Sequence, residues 1–255
     1  MTDTGALFSA DPEHVRWFGE RVLRVVQASS PRRVLDIGCG DGSLLVYLAR
    51  ALPQASLVGV DLSATNIAAA HALIAGSSAS ARIDVQEGDY LRFDAGRFDL
   101  LVASSSLQGI TAPREELAEK IARDTAPGGI LAHVTPTHCG YNAALNSVRK
   151  VLRWTRSPAT DALVLGAARL LHSHQPVDKL RERVSYMYLI LRHSEDHLRA
   201  ALQRRGFQLV ATETAPHTSL GQPKHRFAAM RGSEQRELVD PVGRTLSGPA
   251  GRPPG

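Results

Sequence analysis

Residues 34–45 read Val-Leu-Asp-Ile-Gly-Cys-Gly-Asp-Gly-Ser-Leu-Leu, and this stretch decides the fold. An apolar run surrounds Asp36, glycines follow at Gly38, Gly40 and Gly42, and an apolar helix-like segment begins at Ser43. Glycine turns the backbone through positive φ, and its missing Cβ lets another group approach the main chain closely. A strand, a glycine turn and a helix start in that order form a nucleotide-sized pocket at the carboxyl end of a parallel sheet. The third glycine comes one residue too early for the Gly-x-Gly-x-x-Gly spacing of dinucleotide-binding loops.

Further strands follow. Residues 56–62 read Ser-Leu-Val-Gly-Val-Asp-Leu, a second buried strand ending in Asp61, one helix and one strand beyond Asp36. Residues 85–90 end a third strand at Asp89, residues 97–104 form a fourth, and Ala-Pro-Gly-Gly at 126–129 turns into a fifth. The Asp-x-Gly-x-Gly-x-Gly stretch from Asp36 to Gly42 and these four later landmarks, in this order over about residues 30–135, resemble the class I methyltransferases that use S-adenosylmethionine (SAM).

The resemblance implies an α/β fold: a seven-stranded, mostly parallel, doubly wound sheet with a helical lid inserted after the fifth strand. It implies that Asp36 holds the glycine loop and the methionine amine, and that Asp89 meets the adenine amino group. Asp61 would take both ribose hydroxyls, since a carboxylate offers two acceptor oxygens. Gly38, Cys39, Gly40, Leu62, Tyr90 and Ser104 complete the implied cofactor-binding set. Cys39 reads as a small residue fitted into the loop, and Ser63 is a better cap than Asp61 for the helix that follows.

Composition agrees with a soluble enzyme. The 255 residues suit one Rossmann-like domain with an insertion, and 43% hydrophobic content is enough for a core. No apolar run approaches the length of a membrane span, and no signal peptide is evident. Cys39 and Cys139 are the two cysteines, which fits a reducing cytoplasm without a disulfide framework.

The chain divides into an N-terminal helix and cap (1–30), a SAM-binding core (31–135), a helical lid (136–193), the C-terminal part of the core (194–231) and a disordered tail (232–255). Asp11-Pro12 starts the first helix as cap and first-turn proline. Helices are predicted at 43–52, 63–75 and 113–123, two more at 141–153 and 159–172 in the lid, and one from a Ser194 cap to Arg205. Residues 207–212 and 225–230 read as the last two strands.

Candidate catalytic residues cluster on the lid. Tyr186 and Tyr188, two apart, share a face if their segment is extended. There they would hold a sulfonium against π-faces or orient a nucleophile through their hydroxyls. Asn142 is placed to meet the amino-acid end of SAM, or else to cap a helix. His138 faces the pocket as a base for an acceptor hydroxyl, His133 sits within a strand, and His217 is a substrate contact in the loop after the sixth strand. His172 and His174 would diverge on a helix end, so no metal site is expected.

From Lys150 to Arg205 there are 11 Lys or Arg against 5 Asp or Glu. That excess reads as a solvated basic face or as a surface for an anionic substrate or carrier protein. Aromatic residues do not interleave with it, which argues against single-stranded nucleic acid. Ser104-Ser-Ser-Leu-Gln-Gly109 stands where amino-methylating DNA enzymes carry Asn/Asp-Pro-Pro-Tyr, and the Pro-Cys nucleophile of cytosine-C5 enzymes is absent. A small-molecule acceptor remains, with methyl transfer as the expected activity and specialised metabolism as its setting. Tyr186, Tyr188 and Asn142 are also similar to the site of azetidine-2-carboxylate synthases, which cyclise SAM and release methylthioadenosine. A non-catalytic SAM-binding subunit is a third reading.

Overall fold

The computed structural model describes residues 11–171, 180, 184, 187–216, 221–234, 238–239 and 245–246. Helix α1 (Pro12–Val26) starts where Asp11 accepts the Glu13 N–H at 2.9 Å, with proline in the first turn, and it buries Val15, Phe18, Val22 and Val26. Then come β1 (Arg33–Ile37), α2 (Ser43–Ala51), β2 (Ser56–Asp61), α3 (Ala64–Ala75), β3 (Ile83–Glu87), β4 (Phe98–Ser104), α4 (Arg114–Asp124) and β5 (Thr125–Pro136). Lid helices α5 (Gly140–Trp154) and α6 (Pro158–Leu171) precede α7 (Glu195–Gln203), β6 (Gln208–Thr214) and β7 (His225–Arg231).

The seven strands stand in the order β3-β2-β1-β4-β5-β7-β6, parallel except for β7, which runs antiparallel to both neighbours. This is the doubly wound sheet that the motif order predicts. Strand order reverses direction between β1 and β4, so a crevice opens at their carboxyl ends.

Neighbouring residues on each strand go to opposite faces, and both faces are covered. Val34, Leu100 and Ile130 pack with α1, α2 and α3, whereas Leu35, Leu101 and Leu131 pack with α4 and α7. Each such side chain, buried to within about 1%, contributes roughly 1.5–3 kcal/mol of apolar burial. Strands buried on both faces read as continuous apolar runs, which is why 100–103 is uniformly hydrophobic and 34–37 is so except for Asp36.

Three local expectations are corrected. Among the described residues around 184–190 none lies in a strand: Val184 is helical, and the Met187 N–H returns to the Val184 carbonyl at 3.0 Å in a turn that includes Tyr188. The period-two argument for Tyr186 and Tyr188 therefore lapses, and Tyr186 itself lies outside the described residues. Ser194 does occupy the cap position of α7, but its hydroxyl meets His197 Nδ1 at 3.0 Å instead of a backbone N–H. Within the tail, β8 (Leu238–Val239) and β9 (Thr245–Leu246) pair antiparallel; Val239 and Thr245 are β-branched and suit strands. Among the described residues no helix is long and apolar enough to cross a membrane.

Candidate functional site

The glycine loop leaves β1 with Gly38, Gly40 and Gly42 at φ +73°, +55° and +75°. The Gly38 and Cys39 N–H groups donate to the Val60 carbonyl at 2.8 and 3.2 Å, so the loop folds over the tip of β2. The Gly40 N–H donates to Asp61 Oδ2 at 3.0 Å. Asp61 Oδ1 accepts from the Ser63 N–H at 2.9 Å and from Asn66 Nδ2 at 3.2 Å. Ser63 in turn caps α3. One buried carboxylate thus joins the loop to the start of α3, a role that its place at a strand tip does not reveal.

Backbone closeness makes Gly38 obligatory. A Cβ there would lie 2.5 Å from the Cβ of Ser106, and φ +73° disfavours any side chain. Ser106 is held in place by donating its hydroxyl to the Ile37 carbonyl. Ser105, beside it, carries φ +57° without being glycine, a local strain of the kind that concentrates at functional turns. Further out, the Gly88 N–H donates to the Asp61 carbonyl at 2.8 Å, and Asp89 Oδ1 accepts the Leu91 N–H at 3.1 Å. The tips of β1, β2, β3 and β4 therefore meet around one crevice, with Leu62 half-buried beside Asp61.

Electrostatically the crevice is acidic. Asp36 is 1% exposed and its Oδ1 has no hydrogen-bond partner. Burial, with Asp61 and Asp41 nearby, raises its pKa from 3.8 to about 8. A ligand ammonium would relieve that penalty, and the Gly38–Gly42 cradle accepts a ligand close to the main chain. These residues fit SAM: Asp36 would face its amine, Asp61 its ribose and Asp89 its base. The Cys39 thiol is pushed up by burial and the same acids, which leaves it inert. Tyr90 departs from the set, because its ring is buried in the core against α4 with Lys120 Nζ 4.7 Å from its centroid.

Sequence reasoning missed His14. Its Nε2 lies 2.9 Å from Ser104 Oγ, so α1 reaches the tip of β4. Gln108 is fully buried and donates to the Ser105 carbonyl at 2.6 Å, with its Oε1 unpartnered. A contact spanning ninety residues leaves no local signal, although the His14-Val15 start of an amphipathic helix does show which face turns inward.

The lid candidates are placed differently from expectation. Asn142 Nδ2 donates to the Thr137 and Lys224 carbonyls, both at 2.8 Å, and its Oδ1 accepts the Lys224 N–H at 2.8 Å. It latches α5 to the strand entering β7, and both its donors are spent on backbone. The Tyr188 hydroxyl donates to Asp161 of α6, and Arg156 lies 4.6 Å from its ring centroid. His138 is exposed, gives its N–H to Asp196 at 2.8 Å, and sets its ring 4.7 Å from that of His197. It turns toward α7. His133 is buried in β5 with Nδ1 2.8 Å from Thr135 Oγ1, and burial lowers its pKa to about 4. His217, His172 and His174 lie outside the described residues. Among those described, no cluster of His, Cys, Asp and Glu is arranged to hold a metal.

A glycine turn after β1, an acid at the tip of β2 and a reversed β7 define the class I methyltransferase fold. Residues 34–129 match the family model described as a methyltransferase domain. The chain is 36% identical over 126 residues to a ubiquinone biosynthesis O-methyltransferase from Chelativorans sp. (strain BNC1), covering 48% of each chain. It is 33% identical over 119 residues to a trans-aconitate 2-methyltransferase from Deinococcus radiodurans, covering 45% of this chain and 43% of the other. The chain spans about half the length of the curated relatives it matches.

Among solved structures, the N-methyltransferase NodS from Bradyrhizobium japonicum WM9 in complex with S-adenosyl-l-homocysteine superposes with TM-score 0.58 at 17% identity. The match covers 87% of this chain and 89% of that one, and at this identity the likeness concerns the fold. Residues 34–129 thus match a methyltransferase domain, and the chain has the Rossmann-like fold of the class I SAM-dependent methyltransferases.

Proposed function

We propose that this protein transfers a methyl group from SAM to a small, anionic acceptor in the cytoplasm, as a step of specialised metabolism. The observation that carries the reading is the buried Asp36, its Oδ1 without a partner, beside the Gly38–Gly42 loop and near Asp61. SAM, when bound, supplies an electrophilic methyl carbon for in-line displacement. The chain's part is alignment and exclusion of water. Asp36 and Asp61 fix the two ends of the cofactor, while α1 closes the crevice through His14 and Ser104.

An acceptor carboxylate needs no base. For an acceptor hydroxyl, His14 is the better-placed base: its Nε2 meets Ser104 at the tip of β4, whereas His138 turns toward α7. The cyclisation reading loses its footing, since the Asn142 amide and the Tyr188 hydroxyl are committed to Lys224, Thr137 and Asp161. Purified protein incubated with SAM, alone and then with carboxylate and hydroxyl acceptors, tests the assignment. S-adenosylhomocysteine appearing only with an acceptor supports it. Methylthioadenosine from SAM alone means cyclisation, and absence of turnover with intact SAM binding means a non-catalytic subunit.

A further inference from the structure

A second concavity lies beyond the strained turn after β4. It is a cleft of about 370 Å³ lined by Arg114 at the start of α4, Asn146 and Lys150 of α5, and Ile190, Arg192 and His193 of the segment before α7. An adjoining recess of about 450 Å³ shares Lys150, Ile190 and Arg192 and adds Arg153 and Trp154. The two linings hold four permanent cations and no carboxylate. Among the described residues none of the four forms an ion pair. The neighbouring Glu115 is already neutralised by Arg204 at 2.5 Å and Arg205 at 2.7 Å.

The cleft is built, not a chance grouping of surface charges. Asn146 clamps its wall, donating to the Leu191 carbonyl at 3.1 Å and accepting the Leu191 N–H at 2.8 Å. The Arg192 N–H holds the Gln108 carbonyl at 2.9 Å. His193, 4% exposed, donates its Nε2–H to the Ile110 carbonyl at 3.0 Å and so fixes this wall, its buried Nδ1 being an acceptor left without a partner. The buried Nε of Arg114 is likewise unpartnered. Helix α4 starts here at Pro113 with no side-chain cap, so its first N–H groups are unsatisfied by the chain. The unsatisfied Nε–H of Arg114, the cations around it and a helix amino terminus together make an oxyanion site.

We propose that this cleft binds a multiply charged oxyanion group, a phosphate ester or polycarboxylate, and holds the acceptor by that group. The role as acceptor subsite rests on the methyl-transfer reading; the binding itself does not. Arg114 and Arg192 offer forked donors suited to such oxygens, and Lys150 adds a point charge. Ile190 and Trp154 supply an apolar border for the rest of the molecule.

Calorimetry on the full chain at low salt tests the site directly. Inorganic phosphate and citrate are titrated separately into wild type and into the K150Q/R192Q double variant, and SAM is titrated into both. Saturable binding of either oxyanion by wild type, at least about tenfold weaker in the variant while SAM affinity is unchanged, supports the proposal. The preferred anion tells phosphate ester from polycarboxylate. No saturable binding up to tens of millimolar, or equal binding by the variant, overturns it. A wild type that binds oxyanion but not SAM would sink the methyltransferase reading instead and leave the cleft standing. Arg114→Gln, at the helix start, gives a second weakened variant should the double one fold poorly.

Discussion

Nε2 of His14 lies 2.9 Å from Oγ of Ser104, tying the first helix to the tip of the central strand β4. A second tether, Arg21 to Glu213 at 2.5 Å, fixes the same helix to β6. His14→Gln is expected to keep a polar partner for Ser104 and to hold SAM affinity within about twofold. His14→Ala leaves that hydroxyl alone and is expected to cost about 0.5–1.5 kcal/mol of stability. Chemical denaturation of both variants and SAM titration check the pair.

Asp36 sets a pH dependence of unusual sign. Its carboxyl titrates near 3.8 when unfolded and near 8 in the folded chain, so the folded state holds the extra proton between those values. Its contribution is fully present below pH 3.8 and is lost as the pH rises to about 8. Buried His133 acts oppositely, gaining stability from about pH 4 to 6.5, so the Asp36 effect is cleanest from pH 6.5 to 8. There the ligand-free protein is expected to lose stability, and D36N to show a flatter profile with weaker SAM binding. Thermal melts across that range decide it; parallel curves for the two proteins would refute the assignment.

For Asp61, the conservative D61N keeps one acceptor oxygen but loses the charge. SAM affinity is expected to fall about ten- to a hundredfold, the worth of a charge-assisted contact of roughly 1.5–3 kcal/mol. Because the carboxylate also holds Gly40, Ser63 and Asn66, the melting temperature should fall as well. Unchanged affinity in calorimetry would remove Asp61 from the cofactor site.

Asn142 is a latch, and its substitution should be felt in stability. N142A strands the Lys224 N–H and two carbonyls, at an expected cost of about 1–3 kcal/mol. Asn142→Asp, which sets a buried carboxylate oxygen against the Thr137 and Lys224 carbonyls, should cost at least as much. Urea unfolding of the three proteins gives the order; wild-type stability in N142A would mean the lid holds without it.

Local grammar made the core legible. Gly38, Gly40 and Gly42 announce themselves because a left-handed turn next to a close approach admits little else, and Ser63 reads as a cap from its neighbours alone. Asp61 was legible as a strand-tip acid but not as the residue that fastens the loop, since Gly40 and Asn66 reach it only after folding. His14 and Ser106 were silent for the same reason, their partners lying 90 and 69 residues away. The lid misled because a period of two implies a shared face only on a strand, and Met187 and Tyr188 lie in a turn instead. Asn142 misled because an amide between a strand and a helix looks the same whether it serves a ligand or Lys224.

Strand β7 lies between β5 and β6, though it is made after both. A ribosome delivers the chain in order, so until His225–Arg231 emerges, β5 is an open edge and β6 has nothing to join. Asn142 meanwhile waits for Lys224. The residues of the Gly38 to Asp61 cradle are therefore made long before Lys224, the partner that the Asn142 latch needs. A nascent chain stalled before residue 224 would carry the residues of that cradle under an unlatched roof.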